Sequence, residues 1–223
     1  MTIMGIIDIV RYWAGINHGD TGLFMRLGLM LLIFIMGFYV ISELISLARI
    51  SRKAELMKKL AYSDALTGLN NRMAFDETEK NLKENKPKTD ICIVQFDINN
   101  LKTANDTYGH KVGDSHIIAG ANAILNSFGK IGDCFRTGGD EFIAVVNCAD
   151  NSNKLKLAEK RLAEEISRYN SENNPTVSLS IAYGIAQIDG NDPAAAERTA
   201  DARMYEMKKK MKAAAKLSAG EIK

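Results

Sequence analysis

Arg136-Thr137-Gly138-Gly139-Asp140-Glu141-Phe142 is the stretch of this chain best suited to chemistry. Two glycines precede two carboxylates, and a run of strand formers, Phe142 to Val146, follows. Glycine tolerates positive φ and lets a ligand approach the backbone closely. Adjacent carboxylates on a tight turn are hard oxygen donors, the kind that hold Mg²⁺ beside phosphates. Taken alone, the stretch reads equally well as an ordinary Gly-Gly-Asp hairpin turn. A further carboxylate, Asp97, closes the run Asp90–Phe96 (DICIVQF). The carboxyl end of a strand is a usual place for a site in an α/β layer.

Carboxylates at such places need strands and helices to hold them. DICIVQF has the β-formers of a buried strand. Strands are expected at Asp133–Arg136 and Glu141–Val146, joined by the Gly-Gly turn, and at Thr176–Ala186. Helices are expected at about Met73–Asn85, Asn100–Thr107, Val112–Phe128, Asn153–Tyr169 and Pro193–Lys212, with a charged turn at Lys86–Thr89. In the third of these, Ile117, Ile118, Ala121, Ala123, Ile124 and Leu125 form the apolar face. Asp192 suits an N-cap, and Pro193 the first helical position, where no backbone donor is missed. The order β-α-α-β-β-α-β-α implies an α+β domain with a largely antiparallel sheet, of the split β-α-β type.

With 223 residues the chain has room for one ordinary domain and an appendage. A net charge of +2 gives no compositional reason to expect a nucleic-acid partner. The cysteines, Cys92, Cys134 and Cys148, are odd in number, lack metal-ligand spacing and lie in or beside strands. They are expected to be buried, reduced thiols of a cytosolic domain.

Residues 1–22 form a short N-terminal segment, interrupted by Asp8, Arg11, His18 and Asp20, without the layout of a signal peptide. Leu27 to Ser42 is uncharged and almost wholly apolar. As a helix it covers about 24 Å of a hydrocarbon core roughly 30 Å thick. Extension to residues 23–47 supplies the missing length and leaves Arg26 and Glu43 near the ends, where charge is tolerated. Arg49, Arg52, Lys53, Lys58 and Lys59 crowd the far side, which places the rest of the chain in the cytoplasm. In the linker helix, residues 48–62 with the last turn before it, Leu47, Ile50, Ala54, Met57 and Ala61 are spaced 3, 4, 3, 4. That spacing fits either a short dimer seam or a solvated linker. The main folded domain is expected at 63–213, followed by a tail at 214–223.

Several separated motifs line up in this frame: Asp64-x-Leu66-Thr67-Gly68-Leu69-x-Asn71-Arg72; Phe96-Asp97-Ile98-Asn99-Asn100-Leu101-Lys102-x-x-Asn105-Asp106-x-Tyr108-Gly109-His110-x-x-Gly113-Asp114; Arg136-x-Gly138-Gly139-Asp140-Glu141-Phe142; and Ala200-Asp201-x-x-Met204-Tyr205-x-x-Lys208. In order and spacing, from about residue 60 to 212, they closely resemble the GGDEF family of diguanylate cyclases. The resemblance implies a palm-like domain with a ferredoxin-like core, similar to that of nucleotidyl cyclases. It implies condensation of two GTP into cyclic di-GMP, with two pyrophosphates released, by two domains face to face in a homodimer.

The resemblance also assigns roles. Asp97, the Ile98 carbonyl, Asp140 and Glu141 would hold two Mg²⁺ ions, with Mn²⁺ as an alternative. Asp140 would serve as base and Glu141 would support the second metal. Gly138 and Gly139 would leave space for the α-phosphate. Asn105 and Asp114 match the guanine readers, Lys102 and Lys208 the triphosphate clamps. Asn100 and Leu101 would line ribose and base, and His110 lies in the same loop. Arg-x-x-Asp, which many members carry before the Gly-Gly turn as a product-binding inhibitory site, is absent. Its positions fall on Gly129 and Gly132, or on Lys130 and Asp133 after a one-residue deletion. No allosteric inhibitory site is therefore expected. The usual Gly-Arg-Asn after Lys208 is also missing, with Met211-Lys212 in its place. The expected whole is a single-pass protein of the bacterial inner membrane; the alternative is a catalytically silent domain serving as a nucleotide-responsive interaction module.

Overall fold

A computed structural model describes residues 3–14, 18–85, 90–148, 152–173 and 175–220. The expected turn at 86–89 lies outside them. The chain divides into two compact units, Met1–Lys59 and Leu60–Lys223.

The first unit contains α1 (Ile3–Trp13) and most of α2 (His18–Tyr62). From Phe24 onward, α2 is long and apolar enough to cross a membrane, and it alone among the described residues passes that test of length and composition. Leu29, Ile33, Phe34, Tyr39 and Leu44 on it are all exposed. The helix runs without a break into the segment expected as a linker. There Leu47, Ile50 and Met57 are exposed as well.

The second unit begins with the last turn of α2. It continues with α3 (Arg72–Glu84), β1 (Ile91–Ile98), α4 (Leu101–Tyr108), α5 (His110–Phe128), β2 (Gly132–Arg136), β3 (Glu141–Asn147), α6 (Ser152–Asn173), β4 (Ile181–Gln187) and α7 (Pro193–Gly220). The strands form one sheet in the order β2-β3-β1-β4, every pair antiparallel. This is the expected α+β arrangement with a split β-α-β core.

The β1 sequence shows why the sheet is covered on both faces: its residues are apolar at nearly every position, not at alternate ones. Val94, Phe96 and Ile98 point into the larger core, where α5 contributes Ile117, Ile124 and Phe128 and α6 contributes Ala158 and Leu162. The Phe96 and Phe128 rings meet edge to face, with centroids 5.1 Å apart. Ile93 points the other way, into a second core with Phe75 of α3, Phe135, Ile143, Ala186, and Ala196 and Ala200 of α7. α7 packs so close to β4 that no side chain fits between them. A Cβ on Gly184 would lie 2.1 Å from the Ala200 carbonyl oxygen and 2.3 Å from the Met204 nitrogen. α7 also covers the outer edge of β4: the Tyr183 N–H donates to Met207 Sδ at 3.3 Å, and Arg203 donates to the Ile185 carbonyl. Such cover protects an edge strand from pairing with another chain.

Capping follows the sequence. The Asn71 side chain accepts from the Ala74 N–H at 3.1 Å at the start of α3, and Asp192 accepts from the Ala195 N–H at 2.9 Å at the start of α7. Three expectations change. Residues 176–180 are not strand. The Asn170 side chain takes both backbone groups of Leu179, at 2.7 and 2.9 Å, and one ring nitrogen of His116 sits 2.6 Å from the Val177 carbonyl oxygen. α7 runs on to Gly220, through Ala213-Ala214-Ala215, residues of the highest helix propensity. The cysteines are not three separate thiols. Cys92 pairs across the β1–β3 ladder with Val146, so Cys148 lies diagonally on the same face. Cys92 and Cys148 form a disulfide with Cα atoms 6.0 Å apart. Cys134 remains free and buried, and burial with Asp133 beside it pushes its thiol up to about 12.

The Gly184 contact yields a stability prediction. Gly184→Ala places a methyl group against helix backbone, and overpacking of this kind costs about 1–3 kcal/mol. Urea unfolding should show a lower midpoint with the same slope. A wild-type midpoint would mean that α7 is free to lift away from β4.

Candidate active site

The β1–β3 register brings the expected carboxylates together. Asp97 stands opposite Glu141, and the Ile98 N–H donates to the Asp140 carbonyl oxygen at 3.1 Å. Asp97 is 7% exposed. Burial pushes its carboxyl above the ordinary range; Lys208 pulls it back, the charge of Asp140 adds to the rise, and the charge of Lys212 opposes it. Lys208 reaches Asp97 from α7, with Nζ 2.5 Å from Oδ1. A carboxylate largely out of water, with a second carboxylate close by, stays ionised only beside positive charge. The donor set therefore fits a hard cation. Among the described residues no three His, Cys, Asp or Glu side chains gather closely enough to hold a metal by themselves. Backbone and substrate oxygens would have to complete such a site.

The two glycines of the turn differ. A Cβ on Gly138 would lie 2.8 Å from Glu141 Oε2, whereas a Cβ on Gly139 would meet nothing within 4 Å. The open side of the turn is thus at Gly139, while Glu141 folds over Gly138.

The loop after β1 holds the remaining candidates. Asn100 adopts the left-handed conformation at φ 61°, a place where Asn is tolerated, and lets the chain turn from β1 into α4. Leu101 is buried in the larger core. Gly109, at φ +86°, separates α4 from α5. Asn105 on α4 faces Gly113 on α5 so closely that a Cβ there would lie 1.8 Å from Asn105 Oδ1. That oxygen is buried and accepts no hydrogen bond from the chain. Asp114 follows Gly113 on α5 and is exposed, as are Lys102 and His110. Among the described residues no hydrogen bond or ion pair joins Lys102, His110 or Asp114 to Asp97 or Asp140. The candidates thus fall into a carboxylate–lysine cluster and a separate α4–α5 elbow.

Three features escape the sequence reading. Lys212 lies one turn beyond Lys208 on α7, on the same face, and its charge acts on Asp97; the i, i+4 spacing was the available signal. Asn99, 5% exposed, donates to Ser180 Oγ at 3.0 Å and fixes the loop to the segment before β4. Arg136 holds the Gly-Gly turn from below. Its Nε donates to the Gly138 carbonyl at 3.1 Å and its Nη2 to the Gly139 carbonyl at 2.9 Å. Its Nη1 donates to both oxygens of Asp64, at 3.0 and 3.2 Å. Asp64 in turn accepts from the N–H and hydroxyl of Thr67, at 2.9 and 2.6 Å. Burial pushes the Asp64 carboxyl up, but the Thr67 bonds and the Arg136 guanidinium together hold it below the ordinary aspartate range.

Antiparallel sheet, helices on both faces and a Gly-Gly-Asp-Glu turn beside a strand-end aspartate define a GGDEF domain. The family described as "Diguanylate cyclase, GGDEF domain" matches residues 61–214, and the chain belongs to it. Among solved structures, the coiled coil and GGDEF domain of DgcB from Caulobacter crescentus, in complex with c-di-GMP, superposes with a TM-score of 0.65 at 24% identity. That match covers 78% of this chain and 94% of that one, and at this identity it speaks to fold alone. The GGDEF domain of TpbB (YfiN) from Pseudomonas aeruginosa gives a TM-score of 0.56 at 28% identity, over 66% of this chain and 89% of that one. A curated relative, an uncharacterized membrane protein of Staphylococcus aureus, is 33% identical over 133 residues. That match covers 58% of this chain but only 37% of the relative, so the chain spans little more than a third of that protein's length.

Proposed function

We propose that this protein is a diguanylate cyclase that condenses two GTP into cyclic di-GMP and two pyrophosphates. The observation that carries the reading is the strand register that sets Asp97 opposite Glu141 and next to the Asp140 turn, with Asp97 ion-paired to Lys208. Asp97, the Ile98 carbonyl, Asp140 and Glu141 would hold Mg²⁺ or Mn²⁺, which when bound polarises the α-phosphate and lowers the pKa of the 3′-hydroxyl. Asp140 takes the proton from the 3′-hydroxyl of the ribose, and the freed oxygen attacks the α-phosphorus of the second GTP as pyrophosphate leaves. Lys208 and Lys102 steady the triphosphate, and the open side of the turn at Gly139 leaves it room. Asn105 and Asp114 read guanine. The unpartnered Asn105 oxygen supports this role, because a site built to hydrogen-bond a group rejects bases that lack it. Asn100, Leu101 and His110 border the nucleotide.

Each domain offers half of the reaction centre, so the working unit is a homodimer. Residues 23–47 anchor it as a single pass in the bacterial inner membrane, and basic residues 49–59 keep the domain in the cytoplasm. The silent-module reading draws on Lys208, which already occupies Asp97. An amine can leave a carboxylate for a triphosphate, however, and every carboxylate the chemistry needs is present. No inhibitory site operates. A Cβ on Gly132 would lie 2.1 Å from the Val145 carbonyl oxygen, and one on Gly129 2.6 Å from that of Leu125. Lys130, the nearest cation at the alternative positions, is a point charge and not a two-pronged donor.

Three outcomes are expected. Purified wild-type protein given GTP and Mg²⁺ makes cyclic di-GMP, identified by mass, while folded Asp140→Asn loses at least about 10³-fold in rate, since a metal ligand and the base go together; wild-type turnover by that variant refutes the assignment. A fragment starting at Leu60 should show a rate per subunit that rises with protein concentration, and a rate independent of dilution in a monomeric fragment would refute the shared site. Added cyclic di-GMP should leave progress curves free of tight, non-competitive inhibition; such inhibition, lost in Asp133→Ala, would reveal a working regulatory site.

A further inference from the structure

We propose that Arg136 and Asp64 are a positioning pair for the reaction, orienting the peptide planes of the Gly138-Gly139-Asp140 turn; the inference rests on the cyclase reading above. A guanidinium offers five donors in a rigid plane. Here Nε and Nη2 hold two successive carbonyls, Gly138 and Gly139, while Nη1 is held by Asp64. The chain has no cis peptide bonds among the described residues. In a trans peptide the C=O and the following N–H point in opposite directions. Fixing both carbonyls on Arg136 therefore turns the N–H groups of Gly139 and Asp140 to the opposite side. At Gly139 the turn also has an open side, where a Cβ would meet nothing within 4 Å. That open side is where the proposed function puts the α-phosphate, so the guanidinium sets two backbone donors and the start of the Asp140 side chain at once.

Without Arg136 the turn has little to hold it. The Thr137 N–H donates to the Glu141 carbonyl at 3.0 Å and the Gly138 N–H to the same oxygen at 3.4 Å. Glycines leave the rest of the turn free to rotate. Arg136 is itself fixed by Asp64, and Asp64 by Thr67. The loop carrying them is bound on both sides. The Arg136 N–H donates to the Asn70 carbonyl at 2.7 Å, the Asn70 N–H to that of Cys134 at 3.3 Å, and the Asn71 side chain to the Ala61 carbonyl at 2.7 Å. Through Asp64, the loop that follows α2 sets the turn. Neither residue touches a reacting atom, so both act through the glycines.

The test uses the whole chain in lipid nanodiscs and two variants. Arg136→Lys keeps the charge opposite Asp64 but cannot span two carbonyls and a carboxylate from one nitrogen. Asp64→Asn keeps size but frees the guanidinium. Misplacement of reacting groups costs about a hundredfold. In Arg136→Lys, kcat should fall about that much, while KM for GTP and the thermal midpoint stay near wild type. Asp64→Asn should fall less, and Asp64→Glu should recover part of the loss. Deuterium exchange should speed up at the Thr137 and Gly138 amides in both variants. A merely structural ion pair would lower the thermal midpoint and spare kcat. Wild-type kcat in folded Arg136→Lys, or unchanged exchange at Thr137 and Gly138 in both variants, overturns the proposal. If wild-type protein makes no product, the cyclase reading falls and the exchange measurement alone decides whether Arg136 and Asp64 order the turn.

Discussion

The antiparallel register between β1 and β3 is the constraint on which everything else here depends. It sets Asp97 opposite Glu141 and the Ile98 N–H on the Asp140 carbonyl. A slip of one residue would turn every side chain of β1 to the other face. The slip is opposed from both sides, because the sheet is covered twice. Phe96 lies opposite Phe142 and Val94 opposite Ala144 in one core, while Ile93 and Ile143 lie in the other. Apolar burial far from any charge thus fixes the register that brings these carboxylates together at a strand end, where they would otherwise repel one another.

That repulsion is answered by α7. Its inner face closes the second core with Ala196 and Ala200, and further along it presents Lys208 and Lys212 toward Asp97. One helix therefore does two kinds of work, and the second is electrostatically demanding. A carboxylate at 7% exposure recovers from a lysine only part of what it has lost from water, and burial still holds its carboxyl above the ordinary range. Lysine is a readily exchanged partner, since its ammonium is a mobile point charge on a flexible stem and not a rigid fork. Arg136 presents the opposite case: its fixed plane is engaged along three directions, and it holds backbone.

Much of this could be read from residue order. The strand β1, the helix α5, the Gly-Gly hairpin and the cap at Asp192 follow from local pattern and end within a few residues of expectation. Asp97, Asp140 and Glu141 were legible because each sits at a strand end or turn that local sequence already marks. What stayed hidden depends on register or on distant partners. The Asp64–Arg136 pair joins residues far apart in the chain, and nothing in either neighbourhood names the other. The Cys92–Cys148 pairing needs the β1–β3 alignment before the two sulfurs share a face. Thr176 to Ser180 has the composition of a strand, but the Asn170 side chain competes for the same backbone groups and wins. The length of α7 was written in Ala213-Ala214-Ala215, which carry the helix past the Lys212 end expected for it.

Gly184 has a consequence beyond packing. The contact it permits, backbone of β4 against backbone of α7 at Ala200 and Met204, is the point from which the rest of the helix is measured. Lys208 stands four residues past Met204, about 6 Å along the axis, and Lys212 four residues further. Over so short a lever, angular play at the contact becomes only a small displacement at the ammonium groups. A residue with no side chain acts as a datum for two of the longest side chains in the protein.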